Sequence, residues 1–295
     1  MRPRRLDINL SASGAMLPAL TIFLAVFLAG TLWSIYISMT NSGLVPRYDR
    51  FVGFSQYIRL FNDARWQHSL SNLFLIFAPL TVILSLALGT FMAILIDQKI
   101  RGEGAFRFIF LYPYTFSYVV TGFAWRWLLN PELGIGQMVR DLGFNSFEGD
   151  WLIRESTVVF MLVVPAVWHA AGLVMVLMLA GLRGIDEDIW KALKVDGVPR
   201  WRAYIFVILP MLSGTVITAF ALIGIGVIKV YDLVVAMTGS GPGLSSEMPM
   251  NYIMEHMFER QNLALASAGT TVILIAVLLF LFVAFILPKW LKRDR

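Results

Sequence analysis

The 295-residue chain contains no cysteine and only three histidines. Disulfides, thiol nucleophiles and cysteine-held metals are thereby excluded, and His68, His169 and His256 lack metal-ligand spacing. Charge is scarce: 15% of residues are charged, against about 25% in soluble domains. A chain this poor in charge cannot build an ordinary water-facing surface. Nor is it disordered, because 58% of its residues are hydrophobic and leave much to bury. There is no Gly-x-x-x-x-Gly-Lys-Ser/Thr phosphate loop, so the chain has no such means of hydrolysing ATP. Convergent clusters of Asp, Glu and His, which a membrane-embedded transferase needs, are also missing, as are repeats and low-complexity tracts.

What the chain does have is six long apolar runs, at 16–40, 69–96, 105–129, 156–182, 205–233 and 263–287. Each is long enough to cross a bilayer with some tilt. The expected fold is therefore all-α, a polytopic membrane protein with six transmembrane helices. The first run has a basic start but is too long for a signal-peptide core and lacks a small-x-small cleavage site, so it reads as an uncleaved anchor.

Six spans put both termini on one side. That side carries fifteen basic residues: Arg2, Arg4, Arg5, Lys99, Arg101, Arg107, Arg183, Lys191, Lys194, Arg200, Arg202, Lys289, Lys292, Arg293 and Arg295. The other side carries seven: Arg47, Arg50, Arg59, Arg65, Arg140, Arg154 and Arg260. Positive charge collects on the cytoplasmic side of membrane proteins, which places both termini in the cytoplasm. The net charge of +5 is thus a topology signal, with no nucleic-acid partner implied.

The inner segment 184–204 is the most informative. Asp186 suits a helix N-cap, and Glu187 and Asp188 suit the positive first turn. Ile189, Ala192 and Leu193 are spaced for one face. Gly197 follows the last turn, where a left-handed residue is needed, and Pro199 fits the first turn of a new helix. Trp201, Tyr204 and Ile205 carry an apolar face into the fifth run. This is either an interfacial helix resting at the headgroups or a short amphipathic helix displayed for a partner's groove.

Two ionisable residues lie near the end of the fifth run. Lys229 and Asp232 are three apart, so on a continuous helix they are neighbours. One reading is an ion pair with Lys229 snorkelling; the other is a lysine lining a pathway. Arg126, between two tryptophans, reads as a snorkelling belt residue. Tyr112, Tyr114, Tyr118 and Trp168 are candidates to stack on a ligand ring, beside the alternative that they face lipid or pack helices. Gly224 and Gly226 allow close helix approach or bending, and Pro79 and Pro113 are expected kinks.

The segment Lys191-Ala192-Leu193-x-x-x-Gly197, followed after nine residues by Val207-Ile208-Leu209-Pro210, resembles the E-A-A-x-x-x-G-x(9)-I-x-L-P loop of ABC importer permeases. Lys191 replaces the pattern's Glu and Leu193 its second Ala. Tyr231 to Pro242, with Asp232, Thr238, Gly239 and Gly241, resembles the sugar-permease pattern F/Y-D-x(5)-T-x-G-G-P, with Ser240 at one glycine. Phe51-Val-Gly-Phe-Ser-Gln-Tyr57 is similar to a shorter pattern at the start of the first outer loop. The resemblance is to binding-protein-dependent permeases of the carbohydrate-uptake branch, of maltose, α-glucoside or glucose type.

That resemblance implies a division into a cytoplasmic segment 1–15, a six-helix permease domain 16–288 with its coupling loop at 184–204, and a cytoplasmic tail 289–295. It implies a location in the bacterial inner membrane and a transport subunit rather than an enzyme. This chain binds no cofactor, and ATP and Mg belong to a partner ATPase. The implied partners are a second permease, forming a heterodimer, two ATPase subunits, a periplasmic or extracellular solute-binding protein, the sugar and membrane lipid. Coupling to the ATPase falls by resemblance to Lys191, Ala192, Asp196, Gly197 and Pro210. The pathway candidates are Lys229, Asp232, Tyr231, Gly226, Trp168 and Tyr118. The competing readings are a stand-alone facilitator or channel, and an ABC importer permease for a non-sugar solute.

Overall fold

The computed structural model describes residues 10–98 and 101–285. Arg2, Arg4, Arg5, Lys99, Lys289, Lys292, Arg293 and Arg295 of the charge count lie outside the described residues, as do residues 1–9 and the tail at 289–295. The helices that matter here are α1 (Met16–Ser38), α2 (Ser55–Asn62), α3 (Ala64–Asp97), α4 (Glu103–Leu111), α5 (Tyr118–Leu128), α6 (Ile135–Asp141), α7 (Val158–Arg183), α8 (Glu187–Val195), α9 (Arg200–Met211), α10 (Ser213–Ile228), α11 (Asp232–Met237) and α12 (Leu263–Phe285). Among the described residues the β pairing is limited to an isolated bridge between Thr40 and Phe51.

The chain divides into two compact units, 1–62 with 253–272, and 63–252 with 273–295. In the first, α1 leaves its apolar side chains almost wholly uncovered, with 6% of its most apolar window buried. Water would not tolerate such a surface, whereas lipid accepts it. After α1, Gln56 of α2 donates to the Thr40 carbonyl at 3.1 Å. The carbonyls of Ser42 and Gly43 accept from the N–H groups of Ala264 and Leu263 at 3.1 and 3.3 Å. These are two of the orphan donors at the start of α12.

In the second unit α7 is the central helix, with 72% of its most apolar window buried. It packs closely on α3 because Gly89 has no side chain. A Cβ there would lie 2.5 Å from Val174 Cβ and 2.6 Å from the Ala171 carbonyl oxygen. Without a strong hydrophobic drive between helices in lipid, such small residues set the closest approaches.

Among the described residues four helices, α1, α3, α7 and α12, are long and apolar enough to cross a membrane. The bent pair α9 and α10 makes a fifth if it is one span; the two halves meet at 73°. Two of the six apolar runs are not single helices. The third run is not one helix but α4, a 3-10 turn at Tyr112–Thr115, and α5. Buried Pro113 has no N–H to continue the ladder, and the Ser117 hydroxyl starts a new helix by accepting from Val120 N–H at 3.3 Å. The fifth run bends after Pro210 and breaks again at Lys229–Tyr231. Pro79, by contrast, follows a π-helical stretch at Asn72–Phe77, and α3 continues through it.

Candidate functional site

The loop between α7 and α9 forms the expected helix, break and second helix. The Asp186 carboxylate caps α8 by accepting from Asp188 N–H at 3.0 Å, and Glu187 and Asp188 occupy its first turn. At the other end Val198 N–H donates to the Leu193 carbonyl at 3.1 Å and Gly197 N–H to the Lys194 carbonyl at 3.3 Å. This pair of bonds closes a Schellman cap around a left-handed residue, and Gly197 has φ +66°. A Cβ at Gly197 would meet nothing within 4 Å, so the backbone angle, not crowding, calls for glycine here.

One face of α8 is turned toward the rest of the unit. Trp190 and Leu193 are half-buried on it, and Trp190 packs edge-on against Tyr204 of α9 with ring centroids 5.4 Å apart. The Tyr204 hydroxyl lies within 3.5 Å of Asp97 at the end of α3. The outward face shows Ala192, Asp196 and Gly197, and Val195 is 86% exposed. Ala192 therefore does not share the inward face of Ile189 and Leu193 as its spacing led us to expect. A position three residues on from Ile189 stops about 60° short of a full turn, on the side away from Trp190, whereas Leu193, four on, passes the full turn by only about 40° toward Trp190 and stays on the inward face. Lys191 bonds Asp188 at 2.7 Å, with both side chains largely exposed. Pro199 sits at the N-cap of α9, one residue before the first turn, with extended ψ. Pro210 is exposed on α9, two residues ahead of the bend.

The end of α7, from which the loop departs, is tied to α4. Arg183 donates to Glu103 at 2.7 Å, and Arg107 also reaches that carboxylate. The Arg183 hydrogen bond, helped by the charges of Arg183 and Arg107, holds the Glu103 carboxyl below its ordinary 4.5.

At the far end of the bent span, α10 stops at Ile228, Tyr231 takes φ −141° and ψ −62°, and α11 starts at Asp232. Lys229 and Asp232 thus straddle a break and are not helix neighbours. Both are exposed, and no ion pair joins them. Tyr231 is half-buried at the head of α11. Gly226 is exposed and open, whereas Gly224 is a packing glycine whose added Cβ would lie 2.1 Å from the Phe280 ring. Trp168 is 39% exposed and stands edge-on to Trp125 at 5.9 Å. Tyr118 stacks on His169 at 4.2 Å, and the His169 Nε2 lies 3.1 Å from the Phe116 carbonyl oxygen. The structure thus brings Tyr118, Tyr114 and His169 together. Arg126 is exposed in the last turn of α5.

The loop after α11 is laced by hydroxyls. Thr238 pairs with Ser246 at 2.8 Å, and Ser246 donates to the Gly241 carbonyl at 2.7 Å. Ser240, where the sugar-permease pattern has glycine, takes φ +75°. That left-handed angle explains why the pattern favours glycine there. Sequence reasoning missed the anchor of this loop. Glu247 is fully buried and accepts from Arg65 Nη2 and Nε at 2.8 and 3.1 Å. Asn72 donates to the Ser245 and Glu247 carbonyls, and the Tyr252 hydroxyl to Asp63 at 2.7 Å. Arg65 and Glu247 are 182 residues apart, and no local pattern joins them.

Residues 85–295 match the family described as binding-protein-dependent transport system inner membrane component. The chain belongs to that family. The matched stretch takes in the whole 184–204 loop, the bent span and the loop after α11, and leaves out α1 and α2. A probable ABC transporter permease of Pyrococcus horikoshii is 32% identical, over 89% of this chain and 90% of that protein. A xylose/arabinose import permease of Haloferax volcanii is 31% identical, over 89% and 82%. A diacetylchitobiose uptake permease of Streptomyces coelicolor is 29% identical, over 98% and 86%. The fold matches a chain in the crystal structure of a bacterial ABC transporter that imports the acidic polysaccharide alginate, with a TM-score of 0.81, 17% identity and 94% of both chains covered. The chain is thus a transport component with the fold of an ABC importer permease.

Proposed function

We propose that this permease is one half of the translocation pathway of an ATP-driven sugar importer. A solute-binding protein delivers sugar on the outside, a second permease completes the pathway as a heterodimer, and two ATPase subunits act on the inside. The relatives named for chitobiose and for xylose and arabinose support a sugar as cargo. ATP and Mg bind at the ATPase, and this chain binds no cofactor. It crosses the membrane six times, the broken α4–α5 region serving as the third span. Both termini face the cytoplasm, as the fifteen-to-seven basic bias favours.

The observation that carries the reading is the outward face of α8, an exposed helix ended by a glycine-dependent cap. Ala192, Asp196 and Gly197 enter a groove of the ATPase, with Lys191 at its rim and Pro210 setting the bend that passes motion to α10. Lys229, Asp232, Tyr231, Gly226, Trp168 and Tyr118 border the sugar. Lys229 donates to sugar hydroxyls. Two measurements test this. Reporter fusions at Gly149 and Gly243 read as external and one at Val198 as internal. The chain co-purifies with an ATPase, and Gly197→Asp abolishes sugar uptake while the protein stays in the membrane. An external signal at Val198, or wild-type uptake by Gly197→Asp, overturns it.

A further inference from the structure

The inward face of α8 encloses a cleft of about 620 Å3 with the ends of α3 and α7 and the start of α9. Ligand sites typically measure about 300–1,000 Å3. Arg183, Lys191, Lys194 and Arg200 line it, against the acids Asp97 and Glu187. Arg183 is engaged by Glu103 and Lys191 by Asp188. Among the described residues, neither Lys194 nor Arg200 has an acidic partner. The aromatic rings of Trp190 and Tyr204 stand in the same wall. Two unengaged cations beside Trp and Tyr, where three apolar helices end, suit an anion at headgroup depth.

A second cavity lies beside the cleft. An apolar groove of about 650 Å3 lies between α3 and the α9–α10 bend. Leu86, Phe91 and Ile94 form one wall, and Leu209, Val216 and Ile217 the other. The same helices frame both cavities: α3 lines the groove up to Ile94 and the cleft from Asp97, and α9 lines the cleft at Tyr204 and the groove at Leu209. Basic cleft and apolar groove thus follow each other along one pair of helices, about one turn apart on α3. A free phosphate fills only the first, whereas a phospholipid fills both.

We propose that this composite site binds an anionic phospholipid of the inner leaflet. Lys194 and Arg200 hold its phosphodiester under α8, and an acyl chain lies against α3 and the bend. Such a lipid braces the inward face of the coupling helix while the outward face stays free for the ATPase. The proposal rests on the cytoplasmic placement of the loop given above.

The test uses the assembled transporter with its ATPase, reconstituted in phosphatidylcholine vesicles with and without phosphatidylglycerol, and then extracted for native mass spectrometry. Wild type retains phosphatidylglycerol, and inorganic phosphate does not displace it. Lys194→Gln and Arg200→Gln each lower retention about fivefold, and Arg59→Gln, the same charge change at an exposed arginine of α2, leaves it unchanged. Val216→Trp, which fills the groove, also abolishes retention with both cations in place. Undiminished retention in the Lys194→Gln/Arg200→Gln protein, or displacement by inorganic phosphate, overturns the proposal. The absence of native cysteine makes Lys194→Cys the only thiol in this chain. Its labelling by an impermeant reagent from outside would overturn the topology itself, which keeps the two failures distinct.

Discussion

Replacing Gly197 tests the proposed coupling role of the 184–204 loop at the point where its geometry is least forgiving. The residue sits at φ +66°, and of the two bonds that end α8 the one from Val198 to Leu193 depends on that angle, while the other is donated by the Gly197 N–H itself to Lys194. Because an added Cβ meets open space, Gly197→Ala carries only the backbone cost of a left-handed non-glycine, about 1–2 kcal/mol. That lowers the population of the intact cap roughly 5- to 30-fold, and uptake should fall in proportion. Asn adopts the left-handed region more readily than Ala, so Gly197→Asn retains more activity. Gly197→Pro forces φ to about −65° and removes the donor to Lys194, so uptake is lost altogether. Gly197→Asp, similar in shape to Asn, isolates the effect of an added charge beside Asp196. The assay is sugar uptake into proteoliposomes holding the whole transporter, normalised to ATPase content. Wild-type uptake in the Pro variant, or an Ala variant more active than Asn, would refute the reasoning.

Three further outcomes follow from other parts of the chain. Lys229→Ala should impair transport of the physiological sugar more than ATPase activity stimulated by the loaded binding protein, with assembly intact; normal transport removes Lys229 from the pathway. Gly224→Val should lower the thermal stability of the solubilised protein by about 1–3 kcal/mol through overpacking against Phe280, and Phe280→Ala should recover part of it; equal stability in Gly224→Val shows that the helices are not held at that contact. Glu103 is held below its ordinary value by Arg183, so its contribution is present above 4.5 and lost as pH falls through the lowered value. Wild type and Glu103→Gln should therefore differ in melting temperature at neutral pH and converge in acid; a gap that persists in acid points to another cause.

The helix–break–helix loop at 184–204 was legible in the residues because every feature of it is local. A capping Asp186, acids in the first turn, and Gly197 at a left-handed end are decided by backbone groups within a few positions. The apolar runs likewise announce a membrane protein, because bilayer thickness sets their length whatever the neighbours do. Tertiary structure decided the rest. Pro113 was visible as a kink, yet only the buried 3-10 turn and the fresh cap at Ser117 make it a break between two helices. The spacing of Lys229 and Asp232 implies a shared face only on an unbroken helix, and the interruption at Tyr231 removes that premise. Gly224 and Gly226 are alike in sequence, and only Phe280, from another helix, gives one of them a packing role. The Arg65–Glu247 pair is the extreme case. A buried carboxylate needs a partner wherever the fold brings one, and the partner's position along the chain obeys no helical period, so folding alone brings these two together across 182 residues.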